Sequence, residues 1–554
     1  MQVQKERGGR SHMTQPKERK DEVTGAAKRS GVCTAERYLQ RSKERPAEEP
    51  RGAGPFFFIA GTNGAAIVSS YCERRGWRRI YDKQRDDFKL KWCETKSSAN
   101  YCNFREGKQL MYQIPNDAVL TTKIGLLGSL REYEGVSDKI SRGRGPRSRV
   151  VSVETPACPD QRGHHTLRTL KMEEFIPATF RMDLRTEREA FFASQEIKTA
   201  VSNTETQMWI CKPSGLNQGR GIFLLKSQED IRAFRLKLQN MEDSQAGRRA
   251  LQRQPQPYIV QQYIQNPLLL KGKKFDVRSY LLIACTSPFM VFFRHGYVRL
   301  TCNLYDSSSN DPSTHLTNQY VQKKNPLYSQ LKEDTVWSME SFNTYVNNKF
   351  RVAKGLPWDW VLGTFTKRMQ QILTQCFFAV KSKLDRRLGF FDLIGCDFMV
   401  DTDFKVWLLE MNCNPALHTN CEVLKEVIPS TLVETLDLTL EIFNKCRLRQ
   451  RILPLANQRE FALLYNELYP PDLVPASRRS NAFNPKRNIK NKNTKLRRSK
   501  SGSSKRTPLE SPEEAGEGRP RPTTSVLNKK GRTEIGASRR TLHSGSKVKG
   551  DAAE

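Results

Sequence analysis

Two strand-length apolar runs, Ile394 to Val400 and Lys405 to Asn412, are separated by the turn Asp401 to Phe404, and each carries an acid among its apolar residues, Asp397 and Glu410. This pattern predicts a β-hairpin with buried acids, so the rest of the fold has to supply whatever neutralises them. If Val400 pairs with Lys405, Asp397 lies opposite Leu408, and Glu410 is its diagonal neighbour at roughly 7 Å, close enough for a hard cation to bridge the two. Asn412 shares the face of Glu410. Carboxylate and amide oxygens suit Mg2+, which takes few protein ligands and completes its shell with water and phosphate oxygens. Capping of both acids by Arg or Lys is the alternative, and the sequence leaves both readings open.

Other strand-like runs carry polar residues in the same manner. Met208 to Lys212 is a strand ending in a lysine that Pro213 keeps extended. It leads into Ser214 to Gly221, whose three glycines let backbone N–H groups approach phosphate oxygens, although the spacing is not that of a Walker A loop. Ile259 to Ile264 is a further strand-like run. Lys274 to Tyr280 alternates with period two, placing Lys274, Asp276 and Arg278 on one face and Phe275 and Val277 on the other. The apolar continuation Leu281 to Ala284 makes this a central strand bordering a polar cleft. Tyr280 to Phe293 is broken by Thr286-Ser287-Pro288 and falls short of the roughly 20 residues of a membrane helix, so it reads as two buried strands and a turn. Phe56 to Ile59, the turn Gly61-Thr62-Asn63-Gly64 and the helix-compatible Ala65 to Arg75 open the first unit as strand, connecting turn and helix.

Strand-like and helix-like patterns alternate from 55 to 470, which predicts an α/β or α+β fold. The 93 Lys+Arg and 59 Asp+Glu give a net charge of +34. Residues 1–54 and 471–554 are polar and are expected to be disordered, the second as a basic tail. They carry +5 and +13 of that charge, so the region between them is itself basic at +16 and predicts an acidic partner. The run Arg74-Arg75-Gly76-Trp77-Arg78-Arg79 is a candidate part of the face for such a partner, a solvated helix end being the alternative. Residues 136–165 read as a mobile loop and 241–256 as a polar insertion. No metal role is expected for His164-His165. The thirteen cysteines form no C-x-x-C pair and are expected to be reduced thiols, and the first thirty residues lack the apolar run of a signal peptide.

Taken in order, Lys212-Pro213, the glycine-rich turn, Gln261-Gln262-Tyr263-Ile264, Lys274-Phe275-Asp276-Val277-Arg278, His315-Leu316-Thr317-Asn318, Gly395-Cys396-Asp397-Phe398 and Glu410-Met411-Asn412-Cys413-Asn414-Pro415 resemble the tubulin-tyrosine-ligase-like family, over roughly residues 55–450. Phe56 to Gly64, Asp86 to Trp92, Asn103 to Gly107 and Leu393 to Cys421 resemble its glycine-adding branch. Arg220 departs from the Lys common at its position in the family, and Cys413 to Ala416 is a segment that varies there.

The resemblance implies an ATP-grasp fold: an N-terminal subdomain over 55–200, a central one over 201–272, a C-terminal one over 273–450 and an extension over 451–470. It implies a ligase that phosphorylates a carboxylate with ATP and Mg2+ and joins it to an amino acid amine, elongating glycine chains on acidic tails of tubulin or other glutamate-rich proteins. By the same resemblance Lys212 contacts the ATP phosphates, Gln218 and Gly219 the nucleotide under the hairpin, and Gln261, Gln262, Tyr263 and Ile264 the adenine. Lys274, Asp276, Thr317 and Asn318 complete the nucleotide site, while Asp397, Glu410 and Asn412 hold Mg2+. Arg278 and Arg299 are expected as catalytic stabilisers of the acyl-phosphate or of the oxyanion formed on amine attack, on the ground of charge and strand geometry. A monomer with free glycine as co-substrate is expected, in the cytoplasm, on the cytoskeleton or the axoneme of a cilium. Neither membrane nor nucleic acid is an expected partner, because no membrane span or groove-reading motif is present. A polyglutamylase of the same fold and an inactive microtubule-binding adaptor are the alternatives.

Overall fold

Residues 48–143, 169–201, 207–246 and 257–469 are described by a computed structural model. The expected disorder of residues 1–47 and 471–554, the core of the 136–165 loop with His164-His165, and residues 247–256 of the polar insertion lie outside the described residues. Among the described residues no helix is long and apolar enough to cross a membrane.

In chain order the strands are β1 (Phe56–Ala60), β2 (Arg78–Ile80), β3 (Phe88–Cys93), β4 (Leu110–Tyr112), β5 (Thr179–Arg181), β6 (Trp209–Pro213), β7 (Phe223–Leu225), β8 (Tyr258–Gln262), β9 (Leu269–Leu270), β10 (Lys273–Thr286), β11 (Phe289–Leu300), β12 (Val336–Trp337), β13 (Phe390–Val400), β14 (Val406–Asn412) and β15 (Ala462–Asn466). The longer helices are α1 (Ala65–Glu73), α2 (Lys123–Gly143), α3 (Arg185–Val201), α4 (Gln228–Ala246), α5 (Met339–Lys349), α6 (Thr366–Val380) and α7 (Glu422–Arg447). Eleven strands form one sheet in the order β12-β11-β10-β13-β4-β3-β1-β2, with β14 on β13, β15 on β11 and β9 on β10. Its β1–β4 half is parallel and its β10–β14 half antiparallel, and β4 joins the two by pairing with β13 at Met111↔Phe390 and Tyr112↔Phe391. The first and last expected subdomains therefore share a single sheet.

The period-two pattern of β10 explains its place at the centre. Phe275, Val277, Leu281 and Ile283 pack into one core with Phe365, Met369 and Phe377, whereas Tyr280, Leu282 and Ala284 pack into the other with Leu432, Leu436 and Phe443 of α7. Both faces of the strand are thus covered, and burial of aliphatic and aromatic side chains, at about 25 cal/mol per Å2, is the main term holding the layers together. On the second face the polar residues Lys274, Asp276 and Arg278 continue the same row, so the site lies where that core gives way to a cleft.

The small sheet, in the order β5-β8-β6-β7, forms the opposite wall. Its core unites Met182, Phe191 and Phe192 with Trp209 and Phe234, so the central unit begins near 179 rather than at 201. The signal was missed because β5 has three residues, too few to show a period. The expected loop over 136–165 is corrected likewise, since α2 continues to Gly143. The extension after 450 is a strap: β15 pairs with β11, and Glu434 of α7 accepts hydrogen bonds from the backbone N–H of Arg459, Glu460 and Phe461 at 2.6, 2.9 and 3.0 Å. Arg75 and Arg78 of the arginine run are turned to the protein, Arg75 pairing with Asp437 at 2.6 Å and Arg78 donating to the Arg51 carbonyl at 2.8 Å. Both are occupied in holding α7 and the start of β1, not free for an acceptor.

Candidate active site

The acidic hairpin is β13 and β14, in a different register from the simple one. Val400 pairs with Val406 and Phe398 with Leu408, and a bulge between Phe398 and Asp397 then sets Asp397 directly opposite Glu410. The extra residue on β14 turns a diagonal pair into a facing one. Asn412 closes the group, its Nδ2 lying 3.3 Å from Asp397 Oδ2 and 3.2 Å from Glu410 Oε1. Among the described residues no three His, Cys, Asp or Glu converge at metal-binding spacing. The two facing carboxylates nevertheless form an oxygen donor pair that fits a hard cation sharing its remaining positions with phosphate oxygens, and a half-turn of the Asn412 amide would add its oxygen.

Basic side chains surround these acids. Arg278 donates from Nε to Asp397 Oδ1 at 2.6 Å and from Nη2 to Oδ2 at 3.2 Å. Arg299 bridges Asp276 (Nε–Oδ1 2.7 Å) and Asp397 (Nη2–Oδ2 2.9 Å). Lys123, at the start of α2, lies 3.2 Å from Glu410 and donates to the Leu216 carbonyl in the glycine-rich turn, also at 3.2 Å. Burial alone would raise the carboxyl of Asp397, but the two guanidiniums outweigh it and hold it below the ordinary range. Burial opposes Lys123 at Glu410 in the same way, and the charge again wins.

Two further lysines have no acid in contact among the described residues. Lys212 Nζ donates to Gln261 Oε1 at 2.7 Å, and Lys274 Nζ to the Tyr263 hydroxyl at 2.7 Å. Desolvation by burial therefore pushes Lys212 down to about 8 and Lys274 down to about 7. The Tyr263 hydroxyl lies 2.8 Å from His315 Nδ1, and His315 Nε2 lies 2.7 Å from the Ser309 carbonyl. A carbonyl only accepts, so Nε2 carries the proton, Nδ1 accepts from Tyr263, and the tyrosine oxygen is left to receive the lysine. With Arg278, Arg299 and Lys123, the cluster holds five cations against the three carboxylates Asp276, Asp397 and Glu410. The imbalance suits an anionic ligand.

The cleft between the two sheets encloses roughly 730 Å3 including its open mouth, within the range of pockets that hold small molecules and cofactors. Lys212, Gly219, Gln261, Gln262, Tyr263, Ile264, Lys274, Asp276, Thr317, Asn318, Asp397 and Glu410 all border it. Gln218 does not: its amide accepts from Arg220 at 2.9 Å, and Asn217 borders the cleft instead. Arg278, Arg299 and Asn412 stand behind Asp397. Arg278 retains one buried donor, Nη1, without a partner among the described residues. Gln261 orients Lys212 and donates to Thr179 Oγ1 at 2.9 Å. Sequence reasoning missed Lys123, which marks only the start of an amphipathic helix, and the role of His315. Ile210, Ile222, Met399 and Leu409 provide apolar walls.

The Gly61 to Gly64 turn has a part in the site. Asn63 Nδ2 donates to Asn414 Oδ1 at 3.0 Å and to the Pro415 carbonyl at 2.8 Å, and its Oδ1 accepts from the Leu417 N–H at 2.8 Å. It fixes the loop that follows Asn412. That loop crowds β13: a Cβ on Gly395 would lie 2.8 Å from Pro415 Cβ and 3.0 Å from Arg278 Nη1. Gly395→Ala is therefore expected to displace Arg278 or the loop and to lower stability by about 1–3 kcal/mol, the range of overpacking. Thermal unfolding checks this, and an unchanged melting temperature would contradict it.

Residues 157–450 match the pattern described as the tubulin-tyrosine ligase family. The chain belongs to the tubulin-tyrosine ligase family. Its mixed sheets and paired walls are the ATP-grasp arrangement of that family. The chain is 56% identical over 440 residues to the protein polyglycylase TTLL10 of Mus musculus, covering 79% of this chain and 58% of that protein. It is also 56% identical over 429 residues to the inactive polyglycylase TTLL10 of Homo sapiens (76% and 63%). Tubulin glycylase 3A of Drosophila melanogaster is 31% identical over 280 residues (50% and 25%). The chain thus spans a little under three fifths of the mouse relative's length.

Proposed function

We propose that the chain is an ATP- and Mg2+-dependent ligase that elongates glycine chains on glutamates of acidic protein tails, tubulin among them. The observation that carries this reading is the surplus of buried cations over carboxylates in a nucleotide-sized cleft that ends at Asp397 and Glu410. The similarity to proteins named polyglycylase and tubulin glycylase supports glycine as the amine and tubulin as an acceptor.

Lys212 and Lys274 meet the nucleotide phosphates and hold them against the hairpin. Ile210, Ile222 and Leu409 exclude water around the base, beside Gln262 to Ile264. Asp397, Glu410 and Asn412 would hold Mg2+, which would supply neutralisation of the charge on a transferring phosphoryl group. An acceptor carboxylate oxygen takes the γ-phosphoryl group, giving an acyl-phosphate and ADP. The neutral glycine amine then attacks the acyl carbon, the amide C–N bond forms, phosphate leaves with the C–O bond, and the amine proton passes to solvent. Arg278 and Arg299, behind Asp397, keep that carboxylate charged and oriented towards the cleft.

The human relative's name favours a second reading, a chain that binds an acidic partner without turnover. Hydroxylamine separates the two. With ATP, Mg2+ and a pre-glycylated acidic peptide but no free glycine, the ligase yields a hydroxamate and one ADP for each acyl group trapped, whereas a binding protein yields neither.

The lysines add a pH signature. A phosphate beside Lys212 or Lys274 favours the charged amine, so each takes up a proton on binding above its free value and affinity falls as pH rises through 7 to 8. Calorimetry of ATP binding in two buffers of different ionisation enthalpy at about pH 8 is expected to show uptake of about one proton, falling towards zero near pH 6. Equal heats at pH 8 would contradict this account of the phosphate site.

A further inference from the structure

The segment between α5 and α6 presents two large apolar side chains to solvent on an otherwise well-anchored loop. Val352 is 82% exposed and Trp358 66%, while Trp360, two residues on, is buried and stacked on Phe365 at 5.3 Å. The base of the loop is pinned by Asp359, whose Oδ1 accepts from Asn343 at 2.6 Å and Asn347 at 3.0 Å. Trp358 is therefore exposed on a fixed frame. The same short stretch of chain carries Lys349, Lys354 and Arg351, the last with its guanidinium 5.1 Å from the Trp358 ring centre. None of the three cations forms an ion pair among the described residues, and the one acid of the loop, Asp359, is turned inward.

We infer that this surface is a docking site for the folded body of an acidic protein, separate from the catalytic cleft. An exposed, pre-oriented tryptophan flanked by unpaired cations is the composition of an interface hot spot facing a negative surface. Its position agrees with that use. Phe404, in the β13–β14 turn, contacts Phe350 at 5.8 Å and Trp360 at 4.9 Å, so the patch sits at the tip of the hairpin that carries Asp397. Asp397 is three residues from the strand end at Val400, about 10 Å away along the strand. The loop packs on the face of the sheet opposite the cleft, so a tail must round the tip, and about six to eight extended residues at 3.3–3.6 Å each cover that path. A flexible acidic tail is long enough to enter the cleft while its folded body stays on the patch.

The inference rests on the proposed ligase reading for its choice of acidic protein, so binding and turnover are measured separately with the full-length chain. In cosedimentation with microtubules at physiological salt, Trp358→Ala is expected to weaken binding about tenfold or more, with Lys354→Glu weakening it further. Thermal unfolding should be unchanged, since both side chains are exposed. Glycine incorporation into a short acidic peptide, which has no folded body, should also be unchanged. Wild-type microtubule binding by Trp358→Ala would overturn the inference. So would wild-type binding to phosphatidylserine vesicles that the variant loses, which would assign the patch to a membrane. Loss of microtubule binding in a chain that incorporates no glycine would keep the docking surface and reject the ligase.

Discussion

Glu410→Gln is expected to lower acyl-phosphate formation by about 10²–10³-fold or more, because it removes one of the two carboxylates available to a cation at the point where phosphoryl charge develops. The substitution preserves volume and can still accept from Lys123, so the fold and the Asn412 contact should persist. Two readouts separate the metal role from a structural one. Calorimetry of Mg2+ with nucleotide bound should show weakened metal affinity, and thermal unfolding should stay within about 1 kcal/mol of wild type. Asp397 is a poorer choice for this test: it also neutralises Arg278 and Arg299, and its loss would leave two buried cations without their acid.

The second large effect is on stability and lies far from the chemistry. Glu434→Ala should destabilise the chain by about 3–5 kcal/mol, the range for removing one member of a buried ion pair. Glu434 and Arg294 are both almost fully buried, and the same carboxylate also receives three backbone N–H groups of the C-terminal strap. Alanine strands the three N–H groups at once and leaves Arg294 only the more exposed Glu460 carboxylate and Ser430 as partners. Hydrogen exchange should show the loss first in residues 456–469 and β15, with the β10–β13 core opening later. A loss under about 1 kcal/mol would mean that the strap is held by β15 pairing alone.

Much of this architecture was legible because its signals are long and periodic. Lys274 to Ala284 gave a central strand with Lys274, Asp276 and Arg278 on one face and Phe275 and Val277 on the other, and the structure places it between two cores. The acid pairing was legible, but its register was not: a bulge follows from packing of both strands against neighbours, and no local residue announces it. The alternative left open for the acids, capping by Arg or Lys, is realised at Asp397 and Glu410, yet Lys212 and Lys274 leave an excess of positive charge that no one motif displays. Lys123 and Asn63 were invisible as site residues, since each acts across a separation in sequence of hundreds of residues. The subdomain boundary at 201 failed for the opposite reason: β5 is too short to carry a period, and its role depends on the Phe180, Phe191 and Trp209 cluster.

The central claim is that this cleft joins glycine to an acidic acceptor. The most direct test supplies radiolabelled glycine, glutamate and tyrosine in parallel to the full-length chain with ATP and Mg2+, on microtubules and on a pre-glycylated acidic peptide. Glycine alone should enter, and Glu410→Gln should abolish it. Entry of glutamate or tyrosine in its place, or of no amino acid while microtubule binding persists, would contradict the account.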